Sequence, residues 1–572
     1  MAGTQAIRRG PFTLRTERLG PLPLVNHFLE RLGLATLLAT HVPTEDRRAG
    51  LPHAQALGVL LRSITVEREP IYRQPETVRT FAPVLYGLKP AEVNRLSDDR
   101  IGRALDRLFE ADRAALLTEV VVAVGTRFGV RLRQLHNDST TIRFTGQYRA
   151  AQGRRLHGRR APWITYGYSK DHRPDLKQLL FTLTTSADGG IPVQFRCHDG
   201  HTNDSQTHIE TWEALRAVAG RPDFLYVADS KLCTRENMDY LDQRHGRFVT
   251  VLPRSRLEDG EFRKWLQTHT PAWERVWDRP NPRRKRGPRD RWYVCRAPLP
   301  SREAWPVTWV WSPLLALRQE QSRQERLAAA REALGELRTR LASPKTRLRK
   351  ATEVDRRVEA ILAHYKVGRY LQVHRTVREE HRFRQWRRGR PGPQTTYRKL
   401  TRRRWDVEWR LDDAVIAYDR KSDGMYPLLT NDRTLTPAQV LEAHKGQPTI
   451  EKRFEQTKTV HEIAPVFLKN EGRIEALFTL YFLGLLIQAL IERELRLAMQ
   501  RLRIAELPLY PEQRRCKRPT TEQVLRLFSL VERHVLLDND QPVQVFEAEF
   551  TDLQRQVLSL LGVPARTFHL PT

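Results

Sequence analysis

The chain has 572 residues, too many for one hydrophobic core, and should divide into about three or four domains. Its 98 Lys and Arg against 67 Asp and Glu leave a formal net charge of +31, which points to a polyanionic partner. Nucleic acid is favoured over a membrane surface, because the basic residues spread along the whole chain and no basic amphipathic helix dominates. Four cysteines, Cys197, Cys233, Cys295 and Cys516, stand far apart without metal-ligand spacing, which argues against a zinc site and a disulfide framework and fits a reducing cytoplasm.

The start, MAGTQAIRRGPF, lacks an apolar segment, so no export is expected. Residues 1–95 read as short helices punctuated by Pro and Gly, a compact helical module expected to bind DNA. Residues 96–130 form a helical connector with Ser97 as its N-cap. From 131 to 253 the period changes to strands, RQLHNDSTTIRFT, APWITYGYS, KQLLFTLTTS and IPVQFRCHD, followed by helix, FLYVADS, helix and RFVTVLP. This order predicts an α/β fold with a mixed sheet, the order of a ribonuclease-H-like core, with Asp188–Gly190 as a hairpin turn.

Residues 254–424 read as a basic insertion with strands and a charged helix over about 314–343, either solvated or part of a hairpin. Two arginine-rich runs lie in it, Arg283–Arg291 with Arg284, Lys285 and Arg286, and Arg384–Arg404 with Arg402, Arg403 and Arg404. Both are flanked by Trp and Tyr and are expected to grip DNA phosphates. The second part of the core follows at 425–505, and 506–572 reads as a helical C-terminal region. Within the former, ALFTLYFLGLLIQALI from Ala476 to Ile491 is shorter than a ~20-residue membrane span and contains Gln488, so it is expected to be a buried helix.

Asp138 and Asp229 each fall at the end of a strand-like run, where a carboxylate is costly unless it is paired or binds a cation. With Glu451 far downstream they make a candidate magnesium site, since phosphoryl transfer on DNA can use two such ions held by carboxylates. Spacing alone does not separate Glu451 from Glu455, one helical turn later. Asp229 also reads as a helix cap, Asn203 and Asp204 as a helix start, His136 and His172 as structural or DNA-contacting, and Trp309 and Trp311 as core residues before base-stacking ones.

The ordered blocks HNDSTTIRFTGQY, GYSKDHRPDLKQLLFTL, DGGIPV, GHTNDSQTHI, VADSKLCTRENM, DGMYPLLTND, KGQPTIEKRFEQTK and PVFLKNEGRIEALFTLYFLGLL resemble the DDE transposases of insertion sequences. The similarity runs over about residues 20–500 and is to the type-4 superfamily and its family 1634 branch. It implies a ribonuclease-H-like core interrupted before its last helix. It also implies Asp138, Asp229 and Glu451 as catalytic metal ligands for two Mg²⁺ or Mn²⁺ ions, and cut-and-paste transposition of a mobile element in the bacterial or archaeal cytoplasm. A homodimer bridging paired element ends is implied too, with no membrane partner. The superfamily helix Tyr-x2-Arg-x3-Glu-x6-Lys keeps Glu451 and Lys458, while His444 and Gln447 replace Tyr and Arg; Lys445 and Arg453 could compensate. By this resemblance Lys458, Arg453, Lys445 and Gln447 are expected at DNA. Two rival readings are a DNA-binding remnant without catalysis and a nuclease without strand transfer.

Overall fold

The computed structural model describes residues 12–45, 50–280, 287–460 and 468–571. The chain divides into two compact units, Met1–Thr250 with Glu442–Thr572, and Val251–Leu441.

The first unit is a mixed α/β structure. Strands β1 (Gln134–Phe144), β2 (Lys177–Ser186) and β3 (Pro192–His198) pair antiparallel, and β4 (Leu225–Ala228) and β5 (Arg247–Val251) add parallel to β1, giving the order β3-β2-β1-β4-β5. Helices His208–Ala219 and Arg235–Gln243 make the two crossovers that parallel pairing requires. Every residue of β2 except Lys177 is buried, so the run KQLLFTLTTS carries Leu, Phe and Thr on both faces instead of alternating. The Asp188–Gly190 turn joins β2 to β3 as expected, with Gly189 and Gly190 at φ 83° and 65°, where a Cβ would be strained. APWITYGYS makes no regular strand. Gly167 there lies against the backbone of Gly200, and the Gln178 side chain donates to the Gly200 carbonyl (2.9 Å), so the segment crosses the sheet end as a tight strap.

Helix α1 (Pro448–Glu455) docks on the sheet, and α2 (Glu471–Arg501) is the axis of the apolar core. By length and composition α2 could cross a membrane, yet 89 % of its apolar window is buried inside the fold. Two of its buried polar residues are matched: Glu471 accepts from Arg154 at 2.6 Å, and Gln488 bonds Gln456 at 2.6 Å. Around α2 pack helices Leu22–Leu32, His53–Val66, Asp98–Glu110 and Asp552–Leu561.

Two expectations change here. Residues 12–95 are not a separate module, because their leucines share one core with α2. The region 506–572 is not wholly helical, because Glu532–Asp538 pairs antiparallel with both Phe12–Arg18 and Gln541–Phe546. The shared core comes from packing across several hundred residues and the Phe12–Arg18 pairing from partners more than 500 residues away, neither of which local periodicity registers.

The second unit holds an antiparallel sheet of Glu274–Arg279, Asp290–Arg296, Val307–Trp311 and Met425–Thr430. Trp309 is 1 % exposed and stacks on Phe262 at 3.9 Å, which gives it a core role. The charged helix is one arm of a hairpin, Pro313–Ala342 with Ala351–His364. Leu327, Leu334, Leu337 and Leu341 of that hairpin cover the root of a two-stranded ribbon, β6 (Leu371–Gln385) and β7 (Tyr397–Leu411). The unit is larger than the 254–424 insertion read from sequence, since Met425–Thr430 belongs to its sheet.

Candidate active site

The parallel pairing of β1 with β4 aligns Gln134 with Leu225 and His136 with Val227. Carried two residues further, the same offset sets Asp138, which lies inside β1 and does not close it as the sequence suggested, opposite Asp229, the first residue after β4, and the charge of Asp229 acts on Asp138. The carboxyl edge of parallel strands is where α/β proteins place ligands. A turn role is excluded for Asp138, since β1 continues through Ser139 to Phe144. Asp229 is not the cap of the following helix; that position is taken by Thr234, whose side chain accepts from the Asn237 amide.

The two aspartates are held under electrostatic tension. Burial pushes Asp138 up to about 6, and the charges of Asp229 and Asp204 add to the rise, against Lys170 and the Ser139 amide, which donates to Oδ1 at 2.7 Å. Burial also raises Asp229, opposed by the Lys231 amide at 3.0 Å and by Lys170. Two neighbouring carboxylates that both resist ionisation are a donor set that a divalent cation would relieve. They fit the implied metal as two of its ligands.

The sequence does not single out Lys170, and it presents Asp204 only as a helix start. Lys170 Nζ pairs with Asp204 Oδ2 at 2.7 Å and donates to the carbonyl and hydroxyl of Ser139 at 2.8 and 2.7 Å. Asn203 takes the capping role, accepting from the Ser205 amide. That frees the Asp204 carboxylate to reach the site. Both residues sit in quoted blocks, GYSKDHRP and GHTND, but only the fold shows that the two loops meet.

The third expected ligand is placed differently. Glu451 is exposed on α1, and among the described residues no group of three His, Cys, Asp or Glu side chains is placed to hold a metal. Its helix is nonetheless fastened to the site at two points. Gln447 Nε2 donates to the Asn137 carbonyl at 2.8 Å, with its Oε1 3.1 Å from His136 Nδ1. Lys458, in a π-helical turn over Gln456–Val460, pairs with Asp171 at 2.9 Å. These anchors flank Glu451 and reach the residues next to Asp138 and Lys170.

The phosphate-binding candidates separate by burial. Arg453 is 4 % exposed, paired with Glu492 at 3.0 Å and donating to the Gly190 carbonyl at 2.9 Å, so it fastens the hairpin turn to the core and has no face for DNA. Arg404 is likewise buried, paired with Glu380 at 3.2 Å and donating to the Ala342 carbonyl at the end of its helix. Both residues therefore leave the expected DNA contacts. Arg402 and Arg403 remain exposed on β7. Lys445 is partly buried, and Arg284, Lys285 and Arg286 lie outside the described residues.

A pH dependence follows from Asp138. Its folded value lies above the ordinary 3.8, so ionised Asp138 costs stability; the cost is absent below about pH 4 and complete once the pH has risen past about 6. Without divalent metal, Asp138→Asn should raise stability at pH 7 by up to about 2–3 kcal/mol, and that gain should vanish near pH 4. Thermal melting across this range checks it. An equal gain at both ends would remove the ionisation from the explanation.

Residues 14–122 match a family described as a domain of unknown function (DUF4277). The matched stretch starts within Phe12–Arg18 and ends inside helix Arg113–Phe128, about a fifth of the chain, and stops short of Asp138. No curated protein matches the chain.

Proposed function

We propose that this protein is a DDE-type DNA transposase, which binds the ends of a mobile element and catalyses metal-dependent strand cleavage and strand transfer. The observation that carries this reading is the pair Asp138, inside β1, and Asp229, just past the end of the adjacent parallel strand β4, both resisting ionisation. The strand order β3-β2-β1-β4-β5, three antiparallel strands then two parallel ones, supports a ribonuclease-H-like core. The net charge of +31 supports a nucleic-acid substrate.

In this reading Asp138 and Asp229 hold the divalent ions, and Glu451 joins them from α1. Magnesium, when bound, supplies the charge that neutralises the reacting phosphate. Lys170 pairs with Asp204 and holds β1 through Ser139. Gln447 and Lys458 hold the helix that presents Glu451. The test is cleavage and joining of DNA carrying the element's inverted repeats, with Mg²⁺ or Mn²⁺. Joined products support the transposase, cleavage without joining a nuclease, and neither product a binding remnant. The remnant is the reading favoured by the exposed position of Glu451 outside a closed ligand group.

Exposed arginines on the ribbon should add to the salt dependence of binding. Arg402→Gln with Arg403→Gln should flatten the log–log salt slope by up to about two units, since each phosphate contact contributes about 0.9. Adding Arg404→Gln should loosen the ribbon root without flattening it further. Binding titrations over a range of salt, with melting of each variant, separate these effects.

A further inference from the structure

Strands β6 and β7 pair without a bulge over 15 residues each, from Leu371–Leu411 at the root to Gln385–Tyr397 at the tip. Leu371, Val373, Val407 and Trp409 fix the root in the apolar clusters of the helical hairpin, and Arg404 is the last buried side chain. Beyond it the ribbon runs about 24 Å with no core of its own, at roughly 3.4 Å per residue. A free two-stranded ribbon gains little stability by itself. This one carries ten Lys and Arg and only two acidic residues between 378 and 403. Its length is therefore explained by something outside the fold.

The tip reads Trp386-Arg-Arg-Gly-Arg-Pro-Gly-Pro393. The loop is closed by the Trp386 amide donating to the Thr396 carbonyl (2.9 Å), the Thr395 amide to the Gly392 carbonyl (3.0 Å), and the Gly392 amide to Thr395 Oγ1 (2.7 Å). Arg387, Arg388, Gly389, Arg390 and Pro391 lie between Trp386 and the Gly392–Thr395 turn, all exposed, and none of the three arginines has an acidic partner among the described residues. A Cβ built on Gly389 or Gly392 would meet nothing within 4 Å, so neither glycine is required by packing inside the protein. A bare backbone edge between two arginines suits a close approach from outside. Pro391 restricts the backbone beside it and removes an amide, which lowers the cost of holding that edge extended.

We propose that this tip enters the minor groove of A·T-rich duplex DNA, with Arg388 and Arg390 splayed along the groove from the Gly389 edge. The minor groove is about 6 Å wide, narrower still in A-tracts, where its negative potential draws arginine. The amino group of guanine, which A·T pairs lack, stands in the path. The alternative, the ribbon body lying in the major groove, is sterically allowed there and reads a different edge. This inference rests on the DNA-binding reading above and assigns one element the choice of sequence.

The test uses the full chain and three short duplexes at one salt concentration: an A·T tract, a G·C duplex, and the G·C duplex with inosine for guanine. Inosine removes the minor-groove amino group while leaving the major-groove edge unchanged. The A·T and inosine duplexes should bind about tenfold more tightly than G·C, and Arg388→Gln with Arg390→Gln should erase that difference with melting unchanged. Equal affinity for all three duplexes, or an inosine duplex that behaves like G·C, overturns the proposal while leaving the DNA reading in place. A double variant that keeps the preference overturns the assignment to this tip. Failure to bind any duplex would overturn the DNA reading itself.

Discussion

Asp138→Ala and Asp229→Ala should each lower metal-dependent DNA cleavage by at least about 10²–10³-fold while leaving duplex affinity nearly unchanged. The size is that of removing one electrostatic element from a reacting centre. The split between cleavage and affinity has a structural reason: both side chains are half-buried and already resist ionisation, so they are poor candidates for contacting an anion. Glu451→Ala should fall in the same class if α1 brings its carboxylate to the ions, and Glu455→Ala should be much milder. A readout independent of activity comes from the metal. Mg²⁺ or Mn²⁺ should raise the melting temperature of the wild type by relieving the crowded carboxylates, and Asp138→Asn should lose most of that rise. Full cleavage by the Asp229 variant, or full activity after exhaustive chelation, would refute the metal site.

Arg453→Ala should destabilise the first unit by about 3–5 kcal/mol, the usual cost of breaking a buried pair and leaving one charge behind. The stranded group is Glu492, 5 % exposed, which also faces Arg496 at 3.4 Å. The Gly189 and Gly190 carbonyls and the Gln456 side chain would lose their donor as well. Arg453→Lys should rescue only part of the loss, because one ammonium cannot reproduce the planar fork that serves these acceptors. Exposed Lys452→Ala, the neighbouring control, should stay within about 0.5 kcal/mol. Urea unfolding checks the series. A stable Arg453→Ala variant with a flatter salt slope for DNA would return this residue to the phosphate contacts from which its burial removes it.

Much was legible in the chain because it is written locally. The strand runs around Asp138 and Asp229, the Asp-Gly-Gly turn and the apolar stretch of α2 each carry their own period or turn chemistry within a dozen residues. The α/β class follows from their order. The candidate pair was found for the same reason, since an acidic residue inside or just after a strand-like run is visible without a partner.

What only the tertiary structure decided is where side chains meet. The sequence presents Arg402, Arg403 and Arg404 as one basic run, yet pairing with β6 and the end of helix Pro313–Ala342 buries the third and leaves the first two outside. Arg453 reads as a helix-surface base until Glu492 and the hairpin turn close over it. Lys170 and Asp204 stand 34 positions apart in chain order with no shared motif, and the closure of two loops over β1 makes them a pair. The leucines of the first 95 residues look sufficient for a small domain of their own, but α2 is buried on nearly every side and needs them as its cover. Hydrophobic period and turn chemistry are properties of a dozen neighbouring residues and can be read in one dimension. Burial of a charge and the partner that compensates it depend on distances across the fold, so they exist only once the chain has closed on itself.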